Sequence, residues 1–176
     1  MKGTFTVKEA YYLSTSQERE NETMEWRRIL EGKWWPKITI FAWLVSKGRI
    51  LTWDKIQKRG CYGPSKCTLC NREEENQEHL LNKCPYAGNI WDKIGALFGK
   101  TKRDPSSIGK TIMQWGKGQF QSQVVRRIWN LSIGFVIWFL WKEHNRRIFK
   151  GQNNQPERTW EEVCKAIKET ILSETL

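Results

Sequence analysis

The chain has 176 residues, 39% of them hydrophobic, and a formal net charge of +11. That length suits one packed domain with at most a small appended unit, and that charge attracts phosphate polyanions whatever their sequence. The three aspartates, Asp54, Asp92 and Asp104, are each isolated, which excludes the paired acidic centre of a polymerase or a two-metal nuclease and predicts a non-catalytic protein.

From the N-terminus, Met1 to Ser16 lacks the apolar core and small-residue cleavage site of a secretory leader. With an odd number of cysteines, five in all, this predicts a reducing intracellular setting, nucleus or cytoplasm. Phe5 to Leu13 alternates and then packs Ala10, Tyr11 and Leu13, a short extended lead-in to a first helical turn, and Ser14 to Thr23 is polar linker. Residues 1–23 thereby stand apart from a domain that begins at Met24. Met24 to Leu30 carries Trp26, Ile29 and Leu30 at helical spacing and ends near Gly32. Pro36 suits the first turn of the next helix, in which Ile38, Phe41, Trp43, Leu44 and Val45 supply core contacts until Gly48. Thr52 fits the N-cap of a helix closed by Gly60, with Trp53 and Ile56 on one face and Lys55, Lys58 and Arg59 on another.

The segment that follows reads Cys67-x2-Cys70-x8-His79-x4-Cys84 and holds three of the five cysteines and one of the two histidines. Two residues between Cys67 and Cys70 make a turn that lets both thiolates face one ion, and the excursion from Asn71 to Glu78 returns the chain for His79 and Cys84. A Cys3His set satisfies tetrahedral Zn2+ and leaves no open position, so one structural zinc ion is predicted, not a catalytic one. A lone Cys-x-x-Cys pair would equally suit redox chemistry; the third cysteine and the histidine favour the metal. His79 and Cys84 are five residues apart, about 500° of α-helix, so an unbroken helix would not turn both to one side, and the helix is expected to end near Lys83, before Pro85. Cys61 and Cys164 fall outside the spacing, Cys61 as a substitute ligand at most and Cys164 as a small buried apolar side chain.

Tyr86 to Phe98 reads as a helix with Ile90, Trp91, Ile94, Leu97 and Phe98 inward, stopped by Gly99. A polar connection, Lys100 to Ser107, leads to a short helix from Ile108 to Trp115, broken by Gly116 to Gly118. The longest helix should run from about Ser122 to Phe149. Its segment IWNLSIGFVIWFLW, Ile128 to Trp141, is 14 residues long and contains Asn130, Ser132 and Gly134. A membrane span needs about 20 apolar residues, so this is read as the central buried helix and no membrane partner is expected. After a loop from Gly151 to Pro156, Thr159 and Glu162 form a capping box for the last helix. The expected fold is therefore mostly α, with little or no β. A zinc-binding helical domain spans 24–98, with a C-terminal helical part, 99–176, packed on it. The eleven tryptophans mostly follow the apolar periodicity and are assigned to packing, not to a base-stacking row.

Zinc held by three thiolates lowers the charge from +11 to about +10. Between Val45 and Lys66, six cations (Lys47, Arg49, Lys55, Lys58, Arg59 and Lys66) face Asp54 alone, and Trp141 to Lys150 adds Arg146 and Arg147. With Lys142 and Lys150 of the same stretch, set against Glu143, these are the candidate phosphate contacts. Lys100, Lys102, Arg103 and Lys110 are read as solvated faces. The excursion that closes the metal motif holds Glu73, Glu74, Glu75 and Glu78 against Arg72 alone, so that loop should avoid phosphate. His144, the other histidine, reads as a surface or capping residue on the long helix.

Several stretches together resemble the reverse-transcriptase zinc-binding domain of plant LINE-type (non-LTR) retrotransposons and of genes derived from them. They are FTVKEAYYL at Phe5 to Leu13, Trp35-Pro36-Lys37-Ile38 with the apolar helix to Leu44, and Gly48, Arg49, Leu51 and Thr52. The metal motif with Pro85 and Trp91 trailing it, and WKEHNRRIF at Trp141 to Phe149, complete the set. The resemblance implies a place at the carboxyl end of a retrotransposon polyprotein, after the polymerase, and a role in holding RNA template or target DNA, with a reverse-transcriptase domain as a partner. Polymerase and ribonuclease H regions are not among these 176 residues, which leaves a fragment, a split reading frame or a domesticated gene as expectations. Three functions remain in play. The first is a zinc-stabilised nucleic-acid-binding module, the second a domesticated protein-interaction domain, and the third an enzyme fragment active only beside a polymerase.

Overall fold

A computed structural model of the chain describes residues 24, 27–99, 106–115 and 120–174. The lead-in at 1–23, Trp26 and most of the connection from Lys100 to Ser107 lie outside them. The protein is mostly helical, and among the described residues it has no strand, only an isolated antiparallel bridge between Lys66 and Glu74. The elements are α1 (described over 27–31), α2 (Pro36–Ser46), α3 (Trp53–Gln57), a π-helical turn (His79–Lys83), α4 (Pro85–Phe98), α5 (Ile108–Trp115), α6 (Gln123–Lys150) and α7 (Pro156–Glu174).

The 28-residue α6 is the axis on which the rest packs. From Leu131 to Ile137 every residue is buried, because α2, α4, α5, α7 and the π turn all lie against this helix. By length and composition alone α6 is apolar enough to cross a membrane; here its apolar circumference is covered by its own neighbours, as a central helix requires. Ser122 caps its first turn by accepting from the Val125 N–H at 3.4 Å, and Gly151, at φ 61°, ends it in the left-handed conformation. Among the described residues, those before and after Gly99 consequently contribute to one core cluster.

Tryptophan does much of the joining. Trp115 and Trp129 stack with ring centroids 4.0 Å apart, and each indole N–H donates to the other's backbone carbonyl, at 2.7 and 2.6 Å. Trp91 donates from α4 to the Leu81 carbonyl of the π turn at 2.8 Å. Trp34 donates to the Asn130 carbonyl at 2.9 Å, and its ring lies flat over Gly134 of α6. Each couples a large apolar area to one satisfied donor.

Thr52 stands at the N-cap of α3 as expected, its carbonyl accepting from the Lys55 and Ile56 N–H groups, but its hydroxyl donates to the Asp54 carboxylate at 2.6 Å and caps no N–H; α3 is only one turn long, and its first N–H donates to the distant Glu75 side chain at 3.1 Å. The capping box at Thr159 and Glu162 does not form. Here α7 starts at Pro156, Thr159 is buried against the Tyr86 hydroxyl at 2.8 Å, and Glu162 pairs with Arg146. There a tertiary partner outcompeted the local one. Cys164 is exposed, not buried.

Gly134 gives a sign test of this packing. Alanine for glycine inside a helix ordinarily stabilises by about 1 kcal/mol, but a Cβ at position 134 would meet the Trp34 ring at 2.5 Å. Gly134→Ala should therefore destabilise the protein, by about 1–3 kcal/mol as overpacked cores do, in a denaturant melt. An unchanged or raised midpoint would refute the Trp34–Gly134 contact.

Candidate metal centre

Two local structures deliver the four ligands. The first is a tight turn over 65–75. The Cys67 N–H donates to the Glu73 carbonyl and the Glu75 N–H to the Ser65 carbonyl, both at 2.8 Å, which closes a narrow loop around Cys67 and Cys70. The Asn71 N–H returns to the Cys67 carbonyl at 2.8 Å, and Asn71 itself sits at φ 55°. Asparagine is among the few side chains that tolerate this left-handed position.

The second is the π turn. An α-helix would leave residue 84 about 140° away from residue 79. Instead the Cys84 N–H donates to the His79 carbonyl at 2.7 Å, an i to i+5 bond that adds one residue to the turn and brings both side chains round to one side. The helix does end at Lys83, and Pro85 opens α4 as expected.

The ligand atoms of Cys67, Cys70, His79 and Cys84 lie within 4.8 Å of one another. The Cys67 and Cys84 sulfurs are 3.9 Å apart, and the Cys70 sulfur is 3.2 Å from His79 Nε2. A tetrahedral zinc ion sets sulfur–sulfur separations of about 3.8 Å at the usual bond length, so the donor set has the right size and chemistry. The metal-free electrostatics point the same way. The hydrogen bond with Cys84, together with burial, pushes the Cys67 thiol far above the ordinary range, while the same bond holds Cys84 below it. Metal binding requires both sulfurs as thiolates and so releases protons. Four protein donors leave no position for substrate water, and Cys67 and Cys84 are wholly buried; this is a site for one structural zinc ion.

Glu73, which sequence reasoning passed over, orients the histidine. Its carboxylate lies 3.1 Å from His79 Nδ1, leaving Nε2 to the metal. This is the carboxylate–histidine–metal arrangement that fixes tautomer and ring orientation. The acidic excursion as a whole is less a phosphate-repelling loop than a set of internal ties. Glu78 accepts from the Ile108 N–H at 2.6 Å and so begins α5. Glu75, 4% exposed, accepts from the N–H groups of Trp53 and Thr68 and meets His144 Nε2 at 2.9 Å. Burial pushes the Glu75 carboxyl up, but the bond and charge of His144 with those N–H groups outweigh it and hold it below the usual range. His144 is therefore neither surface nor cap: it is 2% exposed and stacks on Trp141.

Arg146 and Arg147 also require correction. Arg147 donates to the carbonyls of Thr68 and Leu69, the two residues between the first two ligands, at 2.9 and 3.0 Å, to Asn154 at 2.8 Å, and lies over the Tyr86 ring. Fully buried Glu143 pairs with it at 2.9 Å and with Arg146 at 2.6 Å, and Arg146 also holds Glu162. Both guanidinium groups face inward obligations, so they are not available to phosphate. Of the other predicted contacts, Lys58, Arg59, Lys66 and Arg49 are exposed, Lys55 and Lys47 half-buried. Arg49 lies over the Trp43 ring. Cys61, the substitute ligand considered above, is exposed and outside the cluster.

Residues 5–91 match the model of a family described as zinc-binding in reverse transcriptase. The match covers just under half of the chain and includes all four ligands. No curated protein and no solved structure matches the chain.

Two outcomes are expected at this site. Purified protein should carry about one zinc per chain, and Cys70→Ser or chelation should unfold the region around it in a thermal melt; metal-free protein with a melt indifferent to chelator would refute the assignment. Glu73→Ala, a change at a side chain 68% exposed, should leave the fold intact yet weaken zinc retention about 10–100-fold in chelator competition.

Proposed function

We propose that this zinc-binding module is a non-catalytic nucleic-acid-binding domain that works beside a reverse transcriptase, holding RNA template or target DNA. The observation that carries this reading is the group of cations on the shoulder between α2 and the metal turn. Arg49, Lys58, Arg59 and Lys66 are exposed and, among the described residues, enter no ion pair, whereas Arg146 and Arg147 of α6 are paired internally. The family description supplies the reverse-transcriptase context, and the resemblance of WKEHNRRIF and the other stretches to plant LINE-type elements supplies the proposed origin. A net charge of +11 favours a polyanionic partner.

The structural role of the zinc supports a division of labour. Glu75 ties the metal turn to the first N–H of α3, so the metal orients the cationic shoulder without touching the ligand itself. The non-catalytic reading rests on the same inventory: Glu75 and Glu143, buried acids near the centre, are held by His144 and by Arg146 and Arg147. Thiolate ligands, together with the exposed cysteines Cys61 and Cys164, favour a reducing compartment.

Fluorescence anisotropy of a labelled RNA or DNA over a range of salt concentrations tests the reading. Affinity should fall linearly with log salt, and the slope should shrink by about 0.7–0.9 for each phosphate contact removed when Lys55, Lys58 and Arg59 are changed to Ala. Salt-independent binding, or no binding at low salt, would overturn it and favour the protein-interaction alternative.

A further inference from the structure

The tryptophans divide into two kinds. Trp34, Trp91, Trp115 and Trp129 are buried, and each donates its indole N–H to a backbone carbonyl. Trp35, Trp138 and Trp141 are only partly buried, and among the described residues their indole N–H groups donate to nothing. These three lie where α2 meets the C-terminal half of α6. Lys37 Nζ lies 5.2 Å from the Trp35 ring and 5.7 Å from the Trp138 ring, which fixes them as neighbours, and Phe41 touches both Trp138 and Trp141 beneath.

The surface continues along α6. Trp138, Lys142, Asn145 and Phe149 follow one another at helical spacing on the outer side; Lys142 is exposed and Phe149 is 78% exposed. No acidic residue occurs from Lys33 to Trp53, and the one acid of α6, Glu143, is buried and paired with two arginines. Among the described residues, α2 and α6 thus make this face aromatic and cationic, with no accessible acid of their own.

We propose that this α2–α6 face is a track for single-stranded nucleic acid, in which unpaired bases stack on Trp35, Trp138 and Phe149 while Lys37 and Lys142 meet the phosphates. Such alternation of rings and cations is what sequence-tolerant single-strand binding uses. A duplex would offer this face only its phosphates, because its bases are already stacked. From Trp138 to Phe149 the helix runs about 16 Å, the length of about five nucleotides stacked at about 3.4 Å. Arg49 and the cations of the α3 shoulder follow α2 directly in the chain, so the track leads onto the contacts proposed above. The inference rests on that nucleic-acid reading and adds the form of the ligand and the place where it stacks.

The test compares an oligothymidylate with a duplex of equal length. Trp138→Leu keeps apolar contact with Phe41 but removes the indole; Phe149→Ala alters a side chain that packs on little and cannot unfold the core. Each should weaken oligothymidylate binding about tenfold, leave the salt slope unchanged, and leave duplex binding unchanged. Salt-dependent binding that ignores both variants would overturn the track while sparing the cationic shoulder. Absence of salt-dependent binding to any nucleic acid would overturn both. Binding to anionic vesicles that is lost in Phe149→Ala, with oligothymidylate affinity unaltered, would assign the face to lipid and overturn the track alone.

Discussion

The arrangement depends most on one buried charge, the carboxylate of Glu143. It has no solvent access, and its oxygens are taken by Arg146, Arg147 and the Asn154 N–H. A carboxylate in such a place is tolerable only when every lone pair is matched. By holding Arg147 in place it aims that guanidinium at the carbonyls of Thr68 and Leu69. These carbonyls belong to the metal turn, so the C-terminal half of the chain grips the zinc-binding half at the point where the first two ligands are presented. Removing one member of a buried ionic group typically costs about 3–5 kcal/mol, which makes Glu143 a more sensitive position than its place in a polar stretch suggests.

The same grip joins the metal turn, which lies within the matched residues 5–91, to the C-terminal half of the chain. The histidine and carboxylate that support the metal turn from below, His144 and Glu75, come from opposite halves of the chain and meet at 2.9 Å. The turn itself has little apolar surface of its own apart from Leu69. It gains stability from the ion it binds and from the helix on which it rests, and both are needed because a short knuckle cannot bury enough area alone.

Legibility in the sequence followed the range of the interaction. The four ligands were readable because their spacing is local, and the central helix because a 14-residue run broken only by Asn130, Ser132 and Gly134 is too short for a membrane span and calls for burial. The end of the helix at Lys83 was readable, but the π turn that unites His79 with Cys84 was not, since no propensity distinguishes one extra residue per turn. The N-cap position of Thr52 was readable, but the capping box expected at Thr159 failed because its partner 73 positions away, the Tyr86 hydroxyl, is invisible to a local pattern. Arg146, Arg147 and His144 misled for the same reason. On a helical projection they resemble solvated polar residues, and only the approach of the metal turn and the Asn154 loop buries them.

The π turn also bears on how this chain tolerates insertions and deletions. Between Cys70 and His79 the chain is tied at Glu73, Glu75 and Glu78 to His79, His144 and the start of α5, so a change of length there must spare those ties. Between His79 and Cys84 the hydrogen bond from residue 84 to residue 79 makes sequence distance and ligand direction the same quantity. Losing one residue there would restore a regular helix with the last thiolate four positions after His79, still on the same face. The π turn is what lets the motif carry one residue more than an α-helix could without turning that thiolate away, and a change of length on the other side of His79 instead displaces the carboxylates that steady the metal turn.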